Sequence, residues 1–60
     1  MKVRIKVNRK PKPGYVIAGF GRITRLTSFV DCATVFDNVH DAQIYIETHT
    51  FKGIPEIIPA

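Results

Sequence analysis

The residue types in this chain that could support catalysis are a single cysteine and two histidines with carboxylates near them. Cys32, His40 and either Asp31 or Asp41 are the residue types of a thiol hydrolase, in which a base promotes thiolate formation and a carboxylate orients the base. Free cysteine is more often a small buried hydrophobe, and Cys32 begins a short apolar run. We therefore expect a buried, structural Cys32, a solvated His40, no catalytic residues and no enzymatic activity.

Metal and phosphate sites have equally little support. The cysteine and the two histidines lack the paired spacing of a zinc finger, such as two CxxC motifs. The glycines between residues 14 and 21 match neither GxxxxGK[ST] nor GxGxxG, and the segment after them has the pattern of a strand instead of a helix start. We therefore expect no metal, no cofactor and no small-molecule substrate.

The residues that favour a binding function are the cations at alternate positions near the start of the chain. Lys2, Arg4 and Lys6 would lie on one side of a strand, about 6.5 to 7 Å apart. That spacing resembles the distance between successive phosphates of one nucleic-acid strand. Residues that would extend this surface or stack on a base are Arg9, Lys10, Lys12, Tyr15 and Phe20. The alternative explanation is a solvated face whose charges protect an edge strand from pairing with other molecules.

The charge is divided unevenly along the chain. Residues 1–25 contain eight Lys and Arg and no acid, a charge of +8, whereas residues 26–60 contain one Lys and five acids, 1 − 5 = −4, which together give the net charge of +4. A basic surface of this kind attracts polyanions. The same asymmetry also allows the two halves to face each other within one fold or in a head-to-tail oligomer.

A second candidate surface lies on the predicted helix. Ile44 falls about 140° from Val39 on the helical wheel, near the middle of the polar side. His40 and Glu47 flank it there. A helix face with an apolar centre and a polar rim is typical of a protein contact surface. The sequence therefore predicts a protein interface at Ile44, His40 and Glu47, for another protein or for a second copy of the chain.

The elements that must position these residues follow from periodicity and turn chemistry. Alternation of apolar and charged residues predicts a first strand, and Pro11, Pro13 and Gly14 then break it with a turn or exposed loop. Short β-branched or alternating runs predict three more strands before the helix and one after it. The predicted strands are residues 1–7, 15–20, 22–26, 32–36 and 54–58.

One helix is predicted after residue 37, because Asp37 or Asn38 suits an N-cap and an acid follows at Asp41. The helix exit is predicted near residues 51–53, where Gly53 suits a left-handed turn. The last strand contains prolines that cannot donate to a ladder, so we expect it at an edge of the sheet. The residues predicted to form the core stripe of the helix are Val39, Ala42, Tyr45 and Ile46.

The predicted fold is therefore α+β, a small, mostly antiparallel sheet with the order β-β-β-β-α-β and the helix packed on one face. A chain of 60 residues buries only roughly 60% of its unfolded surface, so we expect one small domain over residues 1–60. The basic start contains neither a signal-peptide core nor a membrane span, so a cytoplasmic location is expected.

The C-terminal half resembles small uncharacterised proteins encoded by phages and prophages of Gram-positive bacteria. The resemblance covers residues 33–59. It is carried by Ala33-Thr34-Val35-Phe36-Asp37, Asp41-Ala42, Tyr45-Ile46 and Glu56-Ile57-Ile58-Pro59. It implies a strand, a capped helix and a closing strand, but no activity and no catalytic residues.

Our first functional hypothesis is therefore a non-enzymatic interaction module, a phage-type accessory protein of a bacterial host cytoplasm that binds a protein partner or itself. The alternative is nucleic-acid binding through the basic strand and turn.

Overall fold

The computed structural model of the protein describes residues 1–19 and 24–60, and within them four strands form one antiparallel sheet with a single α-helix on one face. The elements are β1 (Val3–Asn8), β2 (Gly14–Ile17), β3 (Arg25–Thr27), a short 3-10 helix (Val30–Cys32), α1 (Val39–Thr48) and β4 (Ile54–Pro59). The strand order across the sheet is β3-β2-β1-β4. The predicted α+β class is confirmed.

The first strand lies in the middle of the sheet, paired with β2 on one side and β4 on the other. Its apolar positions Val3, Ile5 and Val7 are at most 1% exposed, as strict alternation predicts for a strand with one face on the core. The charges of β1 therefore do not protect an edge strand. They project from the opposite face of a central strand.

The core lies between the sheet and α1. Val16 of β2 and Ala42 of α1 complete the fully buried cluster with the apolar side of β1. Tyr45 and Ile46 pack against this cluster, as predicted, but Val39 remains 46% exposed. Val39 is the first helical residue, and helical side chains point back toward the helix start, away from the residues that the later turns bury.

The helix begins where its capping residues predict. The Asn38 side-chain oxygen accepts a hydrogen bond from the Asp41 backbone N–H at 2.8 Å, which satisfies one of the free donors of the first turn. The helix ends earlier than expected, at Thr48, with His49 in extended conformation. Gly53 therefore does not follow the last helical turn, and its φ lies outside the left-handed region, so the predicted left-handed turn is wrong.

The segment predicted as a fourth strand, residues 32–36, does not form one. Its start belongs to the 3-10 helix, and residues 33–36 lie between β1 and β2, where these two strands diverge. Val3 and Phe36 exchange backbone hydrogen bonds of 3.0 and 2.7 Å, and Thr34 N–H donates to the Val16 carbonyl at 3.0 Å. The Thr34 hydroxyl also accepts from Ala18 N–H at 2.8 Å. We call residues 33–36 the wedge segment, because they bond to two strands without running along either.

The β1–β2 pairing explains why a wedge is needed. The two strands pair at Lys6 with Tyr15 and at Val7 with Gly14, next to the loop that joins them. Farther from the loop, each strand has unpaired backbone groups on its inner edge, and the wedge segment bonds to them. The strands β2 and β3 are shorter than the predicted second and third strands. Residues 20–23 of those predictions lie outside the described part of the chain.

The last strand is an edge strand, as its prolines predict. Ala60 N–H donates to the Lys2 carbonyl at 3.0 Å. Along an antiparallel strand, every second residue directs its backbone groups toward the same neighbouring strand. Ile54, Glu56 and Ile58 therefore face β1 with their backbone groups, and the residues between them face outward. Two of these, Pro55 and Pro59, have no N–H. Only Ile57 offers a backbone donor at the outer edge of β4.

In the described ranges, no helix combines the length and the apolar character that a membrane crossing requires.

Candidate nucleic-acid interface

The sheet face opposite α1 carries the candidate site. Residues directly across an antiparallel pair share a face, so the strand registers define which side chains lie together. We call this surface the open face, since α1 packs on the other side of the sheet. Its strand residues are Arg4, Lys6, Asn8, Tyr15, Ile17, Arg25, Thr27, Ile54, Glu56 and Ile58.

Lys6 and Tyr15 are direct neighbours at the centre of the open face. Val3 exchanges hydrogen bonds with Phe36 on the β2 side of β1, so the odd-numbered residues of β1 direct their backbone groups to that side. Lys6 is even-numbered, and it therefore forms a non-hydrogen-bonded pair with Tyr15. Such pairs have Cα atoms only about 4.5 Å apart, closer than hydrogen-bonded pairs. Both side chains are half-buried. A cation and an aromatic ring are therefore side by side on the open face, and each is partly accessible to solvent.

Arg4 lies two residues before Lys6 on the same face, directly across from Ile58. Its Nε atom is covered by the protein and has no hydrogen-bond partner among the described residues. The Nε–H of Arg4 is therefore neither solvated nor paired within the described part of the chain. An unpaired, covered donor is an unfavourable arrangement, because the N–H has lost water without gaining an acceptor.

Ile17 and Arg25 belong to the open face but are not among the residues predicted for the site. Ile17 follows Tyr15 by two positions, so alternation alone would place the two together. Arg25 lies directly across from Ile17, and this follows only from the β2–β3 register. Tyr15 is therefore next to Lys6 of β1, and Ile17 is across from Arg25 of β3, while the wedge segment separates Ile17 from Arg4.

Carboxylates lie at the margins of the open face. Glu56 on β4 is across from Lys6, and its Oε1 accepts a hydrogen bond from Asn8 Nδ2 at 3.0 Å. Lys2 Nζ lies 3.7 Å from Asp37 Oδ1, with both side chains at least 70% exposed. Exposed pairs of this kind contribute little stability. Their proximity still reduces the positive potential at the Lys2 end of the face.

The turn residues only partly extend this surface. Lys10 and Lys12 are exposed in the loop between β1 and β2. Arg9 is on the other side of the sheet, since its Nη2 would lie 3.1 Å from a Cβ added to Gly14, a core-side position paired with Val7. Alternation explains this placement, because Arg9 follows Val7 by two residues. Phe20 lies outside the described residues.

The outer side of α1 carries the predicted protein interface. Ile44 is 46% exposed, and His40 and Glu47, one turn before and after it, are exposed as well. The side of the molecule opposite the open face therefore has an apolar residue between a histidine and a carboxylate.

Cys32 is exposed, contrary to the expectation of a buried thiol. It ends the 3-10 helix, which buries none of its three residues, and the buried position expected of it is taken by Ala33 instead. No group of three or more His, Cys, Asp or Glu side chains suited to a metal ion occurs in residues 1–19 and 24–60. His49 stacks on Tyr45 with ring centroids 3.8 Å apart, and its Nδ1 is 3.0 Å from the Tyr45 carbonyl oxygen.

No protein-family model, curated protein or solved structure matches this chain. The resemblance to phage and prophage proteins therefore stays a prediction.

Proposed function

We propose that this protein is a non-enzymatic binding module that holds nucleic acid on its open face. The observation that carries the proposal is the direct pairing of Lys6 with Tyr15 on the sheet face opposite α1. Nucleic acids present phosphates and flat bases, and a surface that binds both needs cations and an aromatic ring within one nucleotide of each other.

The charges around that pair support the same proposal. Arg4 continues the cationic line along β1, and Arg25 supplies a further cation across β2. The carboxylate among the strand residues of this face, Glu56, is on the edge strand β4. The net charge of +4 adds a long-range attraction for any polyanion. A small phage-type accessory protein in the cytoplasm of a bacterial host would meet nucleic acid there.

The first test removes the cations of β1. We expect the variant Arg4→Gln/Lys6→Gln to bind a labelled oligonucleotide more weakly, because it neutralises fewer phosphates and its binding therefore releases fewer counterions. The slope of log affinity against log salt should fall by about 1.4 for single strands, at about 0.7 per contact. Fluorescence anisotropy at several salt concentrations measures both quantities.

A matched control keeps the charge change and alters its position. Lys52 is exposed in the loop before β4, outside the open face, so Lys52→Gln removes one positive charge as Lys6→Gln does. Lys6→Gln should lower the salt slope by about 0.7 and Lys52→Gln by much less. Equal effects of the two changes would mean that net charge, not the open face, determines binding.

The exposed Ile44 favours a second candidate function, binding of a protein partner or of another copy through α1. If copies associate there, Ile44→Glu should move the mass measured by light scattering toward that of the monomer, because a charge would have to be desolvated in the contact. Gln43→Glu adds the same charge at a neighbouring exposed position and serves as the control. An unchanged mass for Ile44→Glu at comparable stability rules out self-association through this residue.

A further inference from the structure

We infer that the open face binds single-stranded in preference to double-stranded nucleic acid, with one base stacked on Tyr15. This inference rests on the proposed function and specifies its ligand. Its starting observation is the position of Tyr15 and Ile17 on β2, with Lys6 of β1 next to Tyr15 and Arg25 of β3 across from Ile17. Tyr15 and Ile17 thus form an apolar strip that lies within the charged surface.

A duplex does not fit this arrangement of groups. Its bases are stacked within the helix, and its outer surface offers phosphates and sugars at the positions that would contact a gently twisted sheet. A duplex held by Arg4 and Lys6 would therefore place charged phosphates over Tyr15 and Ile17. A single strand can turn its bases toward the sheet and its phosphates toward the flanking cations, so that both kinds of surface are matched.

Arg4 provides an independent reason to expect a ligand on this face. Its covered Nε–H has no partner among the described residues, so rotation of the guanidinium onto a phosphate would give that donor an acceptor. The planar guanidinium can also stack on a base. Binding thus removes an unfavourable arrangement that is present in the free protein.

The position of Glu56 limits where the strand can lie. Its carboxylate is next to Lys6 on the β4 side and is held by the Asn8 amide at 3.0 Å. Phosphates over β4 would approach this fixed negative charge. The favourable path for the nucleic-acid backbone therefore follows β1, with the bases directed across β2 toward Arg25.

The decisive experiment compares three probes on the unmodified protein. The probes are an oligothymidylate of about eight nucleotides, the same backbone made of abasic sites, and a duplex hairpin with a comparable number of phosphates. Removal of the bases leaves every phosphate contact and eliminates stacking. We expect the oligothymidylate to bind roughly fivefold more tightly than the abasic strand, or more, since one base on an aromatic side chain contributes about 5- to 150-fold. The hairpin should bind more weakly than the oligothymidylate.

Variants at position 15 assign the preference to the ring. Tyr15→Phe keeps an aromatic face and should keep the preference for bases, whereas Tyr15→Leu should make the oligothymidylate and the abasic strand bind alike. The salt slope should be similar in both variants, because the cations are unchanged. A preference for bases that survives in Tyr15→Leu contradicts stacking on Tyr15.

Ring signals of the two tyrosines give a further readout, in which the shifts are measured on the unmodified protein. In NMR spectra the Tyr15 ring protons should shift upfield when the oligothymidylate binds, while those of Tyr45, packed on the other side of the sheet, should stay in place. Tyr45→Phe assigns the signals and removes a hydroxyl that has no hydrogen-bond partner among the described residues.

The possible results separate the two proposals. Equal binding of all three probes, with no shift of the Tyr15 signals, would overturn the inference about single strands and leave nucleic-acid binding in place. Failure of all three probes to bind at low salt would overturn the proposed function itself. Tighter binding of the hairpin than of the oligothymidylate would show that the open face prefers a duplex, which also contradicts the inference.

Discussion

At the scale of single residues, two glycines differ sharply in what a side chain would meet. A Cβ on Gly53 would lie 2.6 Å from the Asn8 carbonyl oxygen and 2.8 Å from Val7 Cγ1, whereas one on Gly19 would meet no atom of the described residues within 4 Å. Gly53 is therefore required because the chain entering β4 approaches the backbone of β1 closely.

Substitution by alanine tests this difference. Gly53→Ala should lower the free energy of unfolding by about 1 to 3 kcal/mol, because a rigid backbone oxygen has to move to admit the methyl group. Gly19→Ala, the control, should leave stability unchanged or raise it by up to about 1 kcal/mol through a less flexible unfolded chain. Urea titrations followed by circular dichroism measure both. Similar losses for the two variants would contradict the packing argument.

Residue types alone predict some of the candidate site. The alternation of Lys2, Arg4 and Lys6 shows which side chains share a face, since the period of a strand is local information. The pairing of Lys6 with Tyr15 and the place of Arg25 depend on strand register, which is set by contacts between distant parts of the chain. Exposure of Cys32 depends on the 3-10 helix, which its apolar neighbours do not indicate.

At the scale of elements, the wedge segment joins β1 to β2 by hydrogen bonds from both sides. Thr34 is its centre, since its N–H donates to Val16 and its hydroxyl accepts from Ala18. The hydrogen bond to Ala18 is partly buried, and the Ala18 N–H has no other acceptor at this position in the described structure. A side chain thus completes the backbone pairing of the sheet.

Removal of that hydroxyl should destabilise the protein. Thr34→Val keeps the shape of the side chain but leaves the Ala18 N–H without an acceptor, so the free energy of unfolding should fall by about 1 to 3 kcal/mol. Thr34→Ser retains the acceptor and should lose less. Chemical denaturation compares the two variants, and an equal loss would show that the methyl group, not the hydroxyl, matters at this position.

The elements differ in how far the sequence predicts them. The alternating first strand and the capped helix follow from local rules, and both are confirmed apart from their boundaries. The wedge segment has the composition of a strand, but its backbone bonds to two strands that diverge. Its conformation is therefore decided by tertiary hydrogen bonding, and local β-propensity predicts it poorly.

At the scale of the whole molecule, the basic open face and the helix are on opposite sides of the sheet. The helix exposes Asp41 and Glu47, so the two sides differ in charge. The sheet edge at β4 carries Pro55 and Pro59 at the positions that face outward. Two of the outward backbone positions therefore lack a donor, which disfavours extension of the sheet by another copy along this six-residue strand.

Replacement of both prolines should remove this protection. Pro55→Thr/Pro59→Thr restores two backbone donors to the outer edge of β4, so we expect the mass measured by light scattering to rise with concentration. Pro13→Thr, in the loop before β2, changes one proline away from that edge and should leave the mass unchanged. A double variant whose mass does not change with concentration would show that the prolines do not control edge pairing.

The same alternation along β4 has a consequence for the exchange of amide protons with solvent deuterium. The N–H groups of Ile54, Glu56 and Ile58 point toward β1, and that of Ile57 points away from the sheet. The amide proton of Ile57 is therefore open to exchange without any unfolding, whereas that of Ile58 has to wait until β4 separates from β1. Since β1 also carries Arg4 and Lys6, slower exchange at Ile58 with a ligand present would report occupancy of the open face from the strand beside it.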